Sequence, residues 1–147
     1  MKQEDKDLLL KDLCARIPYG VICHYNCVIR CDTMEINKAN CIGKLEGIIP
    51  FNGRIGFMVG GDKVNALFGD IKPYLRPMSS MTEEEYDQLY IDSRVKEDSD
   101  DILDALANDM DAIDWLNAHH FDYRGLIPKG LAIEVTKENN LYENINL

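Results

Sequence analysis

The stretch Ile71-Lys-Pro-Tyr-Leu-Arg-Pro-Met-Ser-Ser-Met-Thr-Glu-Glu-Glu85 divides the chain into two halves of different character. The residues before it are rich in glycine and β-branched side chains, whereas the residues after it are acidic and follow helical spacing. Proline fixes φ and has no amide hydrogen, so Pro73 and Pro77 argue against a helix interior or a central strand and predict an extended connector. Thr82, followed three residues later by Glu85, predicts a capping box at the start of a helix.

The residues before this stretch predict one helix followed by short antiparallel strands. Residues 4–17 carry an apolar stripe at helical spacing, which leaves Asp12 on the solvated side. The segment 21–30 alternates as a strand does, and Asn52-Gly53 is typical of a hairpin turn. Further strands are expected at 34–37, 41–49, 54–59 and 64–68. Sequential strands joined by tight turns favour an antiparallel meander, either open or curled into a small open barrel.

The residues after the connector predict helices and one more strand. A helix over 82–93 and another capped by Ser99 follow from the spacing of apolar residues, and 131–135 adds a short strand. The polar tail from Lys137 onwards is expected to be loosely held. The prediction is a single α+β domain over 1–147, composed of a helix plus meander (1–70), a proline-rich connector (71–82) and a helical part with a tail (83–147).

The composition excludes several classes of protein. A length of 147 residues suits one domain, and 46% hydrophobic residues are typical of a folded chain. A net charge of −10 argues against general nucleic-acid binding, which depends on lysine and arginine, but leaves a local basic pocket or a basic partner open. No apolar run approaches the roughly 18 residues that span a bilayer. The charged N-terminus is unlike a signal peptide, and together with the odd number of cysteines it predicts a cytoplasmic protein with reduced thiols.

The cysteines do not predict a metal site. Cys23, Cys27 and Cys31 share one face of the predicted strand, but Cα atoms four residues apart along a strand are about 13 Å from each other. Zn–S bonds of about 2.3 Å cannot bridge that distance, so buried free thiols are expected. The glycine-rich segments 53–56 and 60–62 join strands to strands, unlike a phosphate-binding loop. The sequence therefore predicts neither a metal nor a cofactor.

The connector offers the best local case for a ligand site. Arg76 lies close to two serines at the start of a helix, where free N–H groups attract anions, and Tyr74 could stack on a base or a ring. The candidate ligand-binding residues, including two additional cations, are Arg76, Ser79, Ser80, Tyr74, Arg124 and Arg54. The structural alternative is that the connector is pinned to the core and that Thr82 and Glu85 only cap the helix.

A second distinctive stretch is Asp114-Trp-Leu-Asn-Ala-His-His-Phe-Asp-Tyr-Arg-Gly-Leu-Ile127. His119, His120 and Asp122 could supply ligands or a base to a metal site or a hydrolase site. The alternative is again structural, because adjacent histidines on a helix point about 100° apart. In that interpretation both histidines close the C-terminus of a helix and Asp122 pairs with Arg124.

The segments 72–85 and 114–127, quoted above, resemble those of a group of small proteins from gut Bacteroides-type bacteria and their phages or prophages. The resemblance covers roughly the middle and C-terminal parts of the chain. It implies a mobile-element context and carries no activity, so no catalytic residue is transferred.

The hypothesis favoured at this point is a non-enzymatic, phage-linked binding protein that captures a host protein or a small, anionic, nucleotide-like signalling ligand. One alternative is a small metal-dependent or acid–base hydrolase centred on His119, His120 and Asp122. Another is a structural or assembly protein whose acidic helices dock on a partner. A homo-oligomer is compatible with each of these, and none involves a membrane or general nucleic-acid binding.

Overall fold

An open, mostly antiparallel sheet of six strands forms the centre of the fold, in the order β4-β3-β2-β1-β5-β6. The computed structural model describes residues 2–51, 53–64, 70–93 and 110–142. The strands are β1 (Ile22–Cys31), β2 (Met34–Phe51), β3 (Arg54–Val59), β4 (Asp62–Val64), β5 (Ile71–Leu75) and β6 (Ile133–Glu134). The helices in the described part are α1 (Gln3–Arg16), α2 (Glu83–Ser93) and α3 (Met110–Ala118), with 3-10 turns at Ile17–Tyr19 and Met78–Ser80. The predicted α+β class is confirmed.

Strands β1 to β4 form the predicted antiparallel meander, which is not closed into a barrel. The segments 34–37 and 41–49 were expected as separate strands, but both belong to β2. A bulge separates the two segments. The register of β1 against β2 shifts between Tyr25 and Cys27, and on β2 Asn40 has a positive φ of 55°. Asparagine tolerates this left-handed conformation, so the strand bends without ending.

The first five residues of the connector are a strand, so the expectation that Pro73 excludes an interior strand is wrong. Asn26 donates its N–H to the carbonyl of Asp70 at 2.8 Å. The alternation of an antiparallel ladder then places Pro73 opposite Cys23 in a pair without hydrogen bonds. The nitrogen of Pro73 faces away from β1, and β6 begins to pair only at the next residue. Proline therefore removes no hydrogen bond from either neighbouring strand.

The main core lies between α1 and one face of β1. Leu9 and Leu13 of α1 are buried in one cluster with Cys23, Tyr25 and Cys27, which confirms the predicted inward face of the strand and the burial of Cys23 and Cys27 as free thiols. A second cluster joins α2 and α3 and contains Leu89, Ala112, Trp115, Leu116 and Phe121.

The segment that follows β6 is anchored as far as residue 142, so the expectation of a loosely held tail is wrong for these residues. The hydroxyl of Tyr142 accepts a hydrogen bond from Ile22 N at 2.9 Å and donates one to Tyr74 O at 2.8 Å. The register makes Ile22 and Tyr74 the next hydrogen-bonded pair between β1 and β5. The hydroxyl thus takes the place of the direct hydrogen bond from Ile22 N to Tyr74 O. Asn139 holds the preceding turn by accepting a hydrogen bond from Thr136 N at 2.6 Å.

The substitution Tyr142→Phe is expected to lower the free energy of unfolding by about 2 kcal/mol, because two backbone groups between strands lose their partner. Urea denaturation measures the change, and Leu141→Ala at the exposed neighbouring position is the control, with an expected change within about 0.5 kcal/mol. Equal stabilities of Tyr142→Phe and the unsubstituted chain would contradict the bridging role of the hydroxyl.

Some sequence predictions fall on parts of the chain outside the described residues. These are Asn52 of the hairpin turn, the strand at 64–68 beyond Val64, and the beginning of the helix capped by Ser99. Within the described ranges, no helix combines the length and the apolar character needed to cross a bilayer.

Candidate functional site

The arginine of the connector is buried inside the fold. Arg76 is 1% exposed, and its guanidinium donates to both carboxylate oxygens of Glu85 at 2.6 and 2.8 Å and to Ser80 O at 3.2 Å. Its Cζ lies 4.2 Å from the centroid of the Phe121 ring. Bidentate pairing with a carboxylate uses the same donor geometry that would hold a phosphate. An anionic ligand at Arg76 would therefore have to displace Glu85.

Glu85 also caps α2. Its Oε1 accepts a hydrogen bond from Thr82 N at 3.1 Å, and its own N–H donates to Thr82 Oγ1 at 3.2 Å, which confirms the predicted capping box. Burial alone would raise the pKa of Glu85, but hydrogen bonds from Arg76 and Thr82 outweigh burial and hold that pKa below its ordinary value. The carboxylate stays ionised at neutral pH and ties the start of α2 to the end of β5.

The six candidate ligand-binding residues lie in different parts of the fold. Within the connector, Tyr74 is buried against Tyr142, Ser79 is exposed, and Ser80 Oγ donates to Pro77 O at 2.8 Å. Outside it, Arg54 begins β3, and Arg124 lies 3.4 Å from a carboxylate of α1. Ligand binding by this set stays a prediction.

The groove next to the connector is acidic. Its volume is ≈ 410 Å³, and it is lined by Met81, Thr82, Glu83, Tyr86 and Asp87. The carboxylates of Glu83 and Asp87 are exposed there, and like charges repel a phosphate. The groove therefore favours a cation or a neutral group over the anionic ligand predicted for this region.

His119 and His120 follow the last residue of α3, as the structural interpretation expected. His119 Nδ1 lies 2.8 Å from Trp115 O, and the two rings stack at 3.9 Å. His120 has a positive φ of 63°, and its ring stacks on that of Tyr142 at 3.8 Å. Burial, together with the nearby positive charge of Arg16, lowers the pKa of His120 to about 3. The imidazole is therefore neutral at neutral pH, and its Nδ1 has no hydrogen-bond partner among the described residues.

The expected pairing of Asp122 with Arg124 is wrong. The carboxylate of Asp122 accepts hydrogen bonds from Leu126 N at 2.8 Å and Ile127 N at 2.9 Å, so it closes the turn that follows α3. In the part of the chain that the structure describes, no group of three or more histidine, cysteine, aspartate or glutamate side chains is placed to hold a metal ion.

A buried ion cluster at the end of α1 was missed by sequence reasoning. Asp12 and Arg16 are both 0% exposed and are joined by hydrogen bonds of 2.7 and 3.1 Å, so the expectation that Asp12 is solvated is wrong. Arg16 Nη2 also donates to Phe121 O at 2.7 Å, and Arg124 approaches the same carboxylate. Opposite charges four residues apart on a helix were the available signal. Such pairs usually lie on a solvated face, so the spacing did not reveal the burial.

The hairpin of β1 and β2 extends beyond the rest of the sheet as a two-stranded arm, formed by residues 27–31 and 34–38. Strand β5 pairs with β1 only as far as Tyr25, and β3 pairs with β2 only from Leu45 onwards. Exposure increases along the arm, since Cys27 is buried whereas Ile36 is 47% and Met34 65% exposed. The alternation in the sequence predicts these two strands, but it does not predict how far they extend beyond β3 and β5.

The apolar face of the arm continues the core of the protein. Ile29 lies opposite Ile36 and packs at the edge of the main core, and Cys27 lies two residues further inward on the same strand. Residues opposite each other in an antiparallel pair share one face of the sheet. Single exposed apolar side chains are ordinary on protein surfaces, but a contiguous exposed apolar face is typical of an interaction site.

Searches with protein-family models, among curated proteins and among solved structures find no match to this chain. No family, phage link or ligand comes from these searches.

Proposed function

We propose that this chain is a non-enzymatic binding protein that captures another protein through the apolar face of the β1–β2 arm. The observation that carries the proposal is the exposure of Met34 and Ile36 on a face that is continuous with the buried core. In the phage-linked setting that the sequence resemblance implies, the partner would be a protein of the host.

Protein capture fits the described contacts better than capture of a small anion. Arg76 already holds Glu85, and the nearest groove presents carboxylates. The arm, by contrast, presents Met34 and Ile36 on one face, with the polar Lys38 on the same face at its inner end, and an apolar centre with a polar border is the usual composition of a protein interface.

The hydrolase alternative would require His120 and Asp122 to face a substrate. Asp122 already accepts two backbone N–H groups, and His120 lies beneath the ring of Tyr142 with its pKa lowered to about 3. These contacts support a structural role for both residues, so the geometry favours binding over acid–base chemistry.

The double substitution Met34→Ser and Ile36→Ser is expected to reduce capture of a partner at least about tenfold, because burial of each apolar side chain contributes about 1.5 to 3 kcal/mol. Immobilised full-length protein would be exposed to a lysate of a Bacteroides-type bacterium, and bound proteins would be quantified by mass spectrometry. A specific partner is one that the unsubstituted chain retains and the double variant loses.

The matched control for this experiment is Ile42→Ser. Ile42 is 52% exposed, and it lies on β2 opposite His24, on the other face of the sheet from the buried Cys23 and Tyr25. The control is expected to retain the partner. Equal retention by the double variant and the unsubstituted chain, or equal loss in the control, would contradict capture through the arm.

A further inference from the structure

Strand β2 has an edge along the arm that no described strand covers. Cys31 and Met34 flank a two-residue turn, which makes them a hydrogen-bonded pair. From that pair, the alternation of the ladder turns backbone N–H and C=O groups away from β1 at Glu35 and Asn37. Such an edge favours pairing with another strand.

A second copy of this chain fits the edge best in one register. A two-fold axis perpendicular to the sheet keeps each residue on its own face, so the same surface meets itself. An axis at Glu35 or at Lys38 would place like charges opposite each other, which is unfavourable. An axis at Asn37 would place Ile36 of one copy opposite Lys38 of the other, so an apolar side chain would face a charged one. An axis at Ile36 sets the two isoleucines against each other and lets Glu35 and Asn37 of opposite copies exchange backbone hydrogen bonds.

We propose that two copies of this chain associate in this register, through the β2 edges of their arms, into one four-stranded sheet. Within each copy Ile29 lies opposite Ile36. The pairing therefore aligns Ile29 and Ile36 of both copies in a single row on the core face. The row enlarges the apolar surface of the arm, although the dimer does not depend on capture of a third protein.

The side chain of Lys38, the lysine on this edge, is held away from the open edge by a hydrogen bond to Asp62. Edge lysines ordinarily oppose strand pairing, because their charge would be buried by the incoming strand. Lys38 Nζ, however, donates to Asp62 Oδ2 at 2.9 Å, and the same oxygen accepts a hydrogen bond of 2.6 Å from the Tyr25 hydroxyl. The ammonium group is thus held toward β4, and the aliphatic part of Lys38 is left to face Met34 of the second copy.

Salt is expected to strengthen the association. Each copy carries a net charge of −10, so two copies repel at long range. Raising the ionic strength from about 0.01 M to 0.1 M shortens the screening length from about 30 to 10 Å and weakens that repulsion. Backbone hydrogen bonds and apolar contacts at the interface are not screened in this way.

The test places opposite charges at the two-fold axis by substituting Ile36 in two separate variants. The oligomeric state of the whole chain is measured by sedimentation velocity at about 100 µM. Ile36→Lys and Ile36→Glu are each expected to be monomeric, because residue 36 meets its own copy. An equal mixture of the two variants is expected to recover the dimer, with a dissociation constant at least about tenfold lower than that of either variant alone. A side chain that only supports the fold would not show this recovery.

Two further variants separate the interface from the fold. Asn37→Pro removes an N–H that points away from β1, so it is expected to give a monomer with unchanged far-UV circular dichroism. Val28→Lys, at an exposed position of β1, is expected to remain dimeric. The proposal would be overturned by a monomeric unsubstituted chain at about 0.1 M salt, by a mixture that fails to associate, or by a dimeric Asn37→Pro variant. Because Asn37→Pro keeps Met34 and Ile36, capture by that monomer tests the proposed function separately.

Discussion

Replacement of Arg16 with methionine is expected to lower the free energy of unfolding by about 3 to 5 kcal/mol. Methionine retains an apolar stem, but it leaves the buried carboxylate of Asp12 without its hydrogen bonds of 2.7 and 3.1 Å and Phe121 O without its donor. Arg124 remains 3.4 Å from the same carboxylate, which is too long for a strong hydrogen bond, so it offsets only part of the loss. Urea denaturation followed by the fluorescence of Trp115 measures the change.

Two controls decide whether the unpaired charge is the cause. Lys11→Met changes an exposed residue of the same helix and is expected to alter stability by less than about 0.5 kcal/mol. The double substitution Asp12→Leu and Arg16→Met removes both charges, so it is expected to be less destabilising than Arg16→Met alone. If Arg16→Met is as stable as the double variant, the unpaired carboxylate of Asp12 is not the cause of the destabilisation.

Acidification is expected to remove about 4 to 5 kcal/mol of stability through His120. The pKa of His120 is about 3 in the folded chain, compared with an ordinary value of 6.5. Between these values the unfolded chain binds a proton that the folded chain does not. The contribution is therefore complete above pH 6.5 and is lost as the pH falls toward 3. Burial beneath Tyr142 opposes the proton, and Arg16 of α1, the adjacent His119 and Arg76 at the end of β5 oppose it further.

The measurement compares urea denaturation at several pH values between 6.5 and 4.5, where the loss through His120 should reach about 2 to 3 kcal/mol. The matched variant is His120→Asn, since asparagine accepts the positive φ of this position and does not titrate in the window. Every other titratable group is retained in the variant, so the difference between the two profiles isolates His120. Parallel stability profiles for the variant and the unsubstituted chain would remove His120 as the cause.

The predictions that succeeded depend on neighbouring residues. The alternation of 21–30, the hairpin return at 54–59 and the capping box of Thr82 and Glu85 all follow from signals within a few positions of each other. The assignment of 71–75 failed because the effect of Pro73 depends on which side of the strand each neighbour occupies. That register is set by residues about 50 positions earlier and 60 positions later.

The candidate site was harder to predict for the same reason. The sequence presents Arg76 as a cation near a helix start and Glu85 as a member of the capping box alone. One carboxylate serves both, with Oε1 shared between Thr82 N and Arg76, which no spacing rule reveals. The arm is a second example. Its exposed face exists because β5 and β3 stop pairing before β1 and β2 do, and this depends on contacts between distant segments.

The Tyr142 hydroxyl also determines when the sheet can be completed during translation. Ile22 is synthesised 120 residues before Tyr142, whose hydroxyl accepts the hydrogen bond from Ile22 N. Strands β1 and β2 can pair early, since a tight turn joins them, but the pairing between β1 and β5 keeps an unfilled position until residue 142 has been synthesised. A nascent chain truncated before that residue therefore carries a gap inside its central sheet, whereas a chain that includes it can close the gap with its own tyrosine.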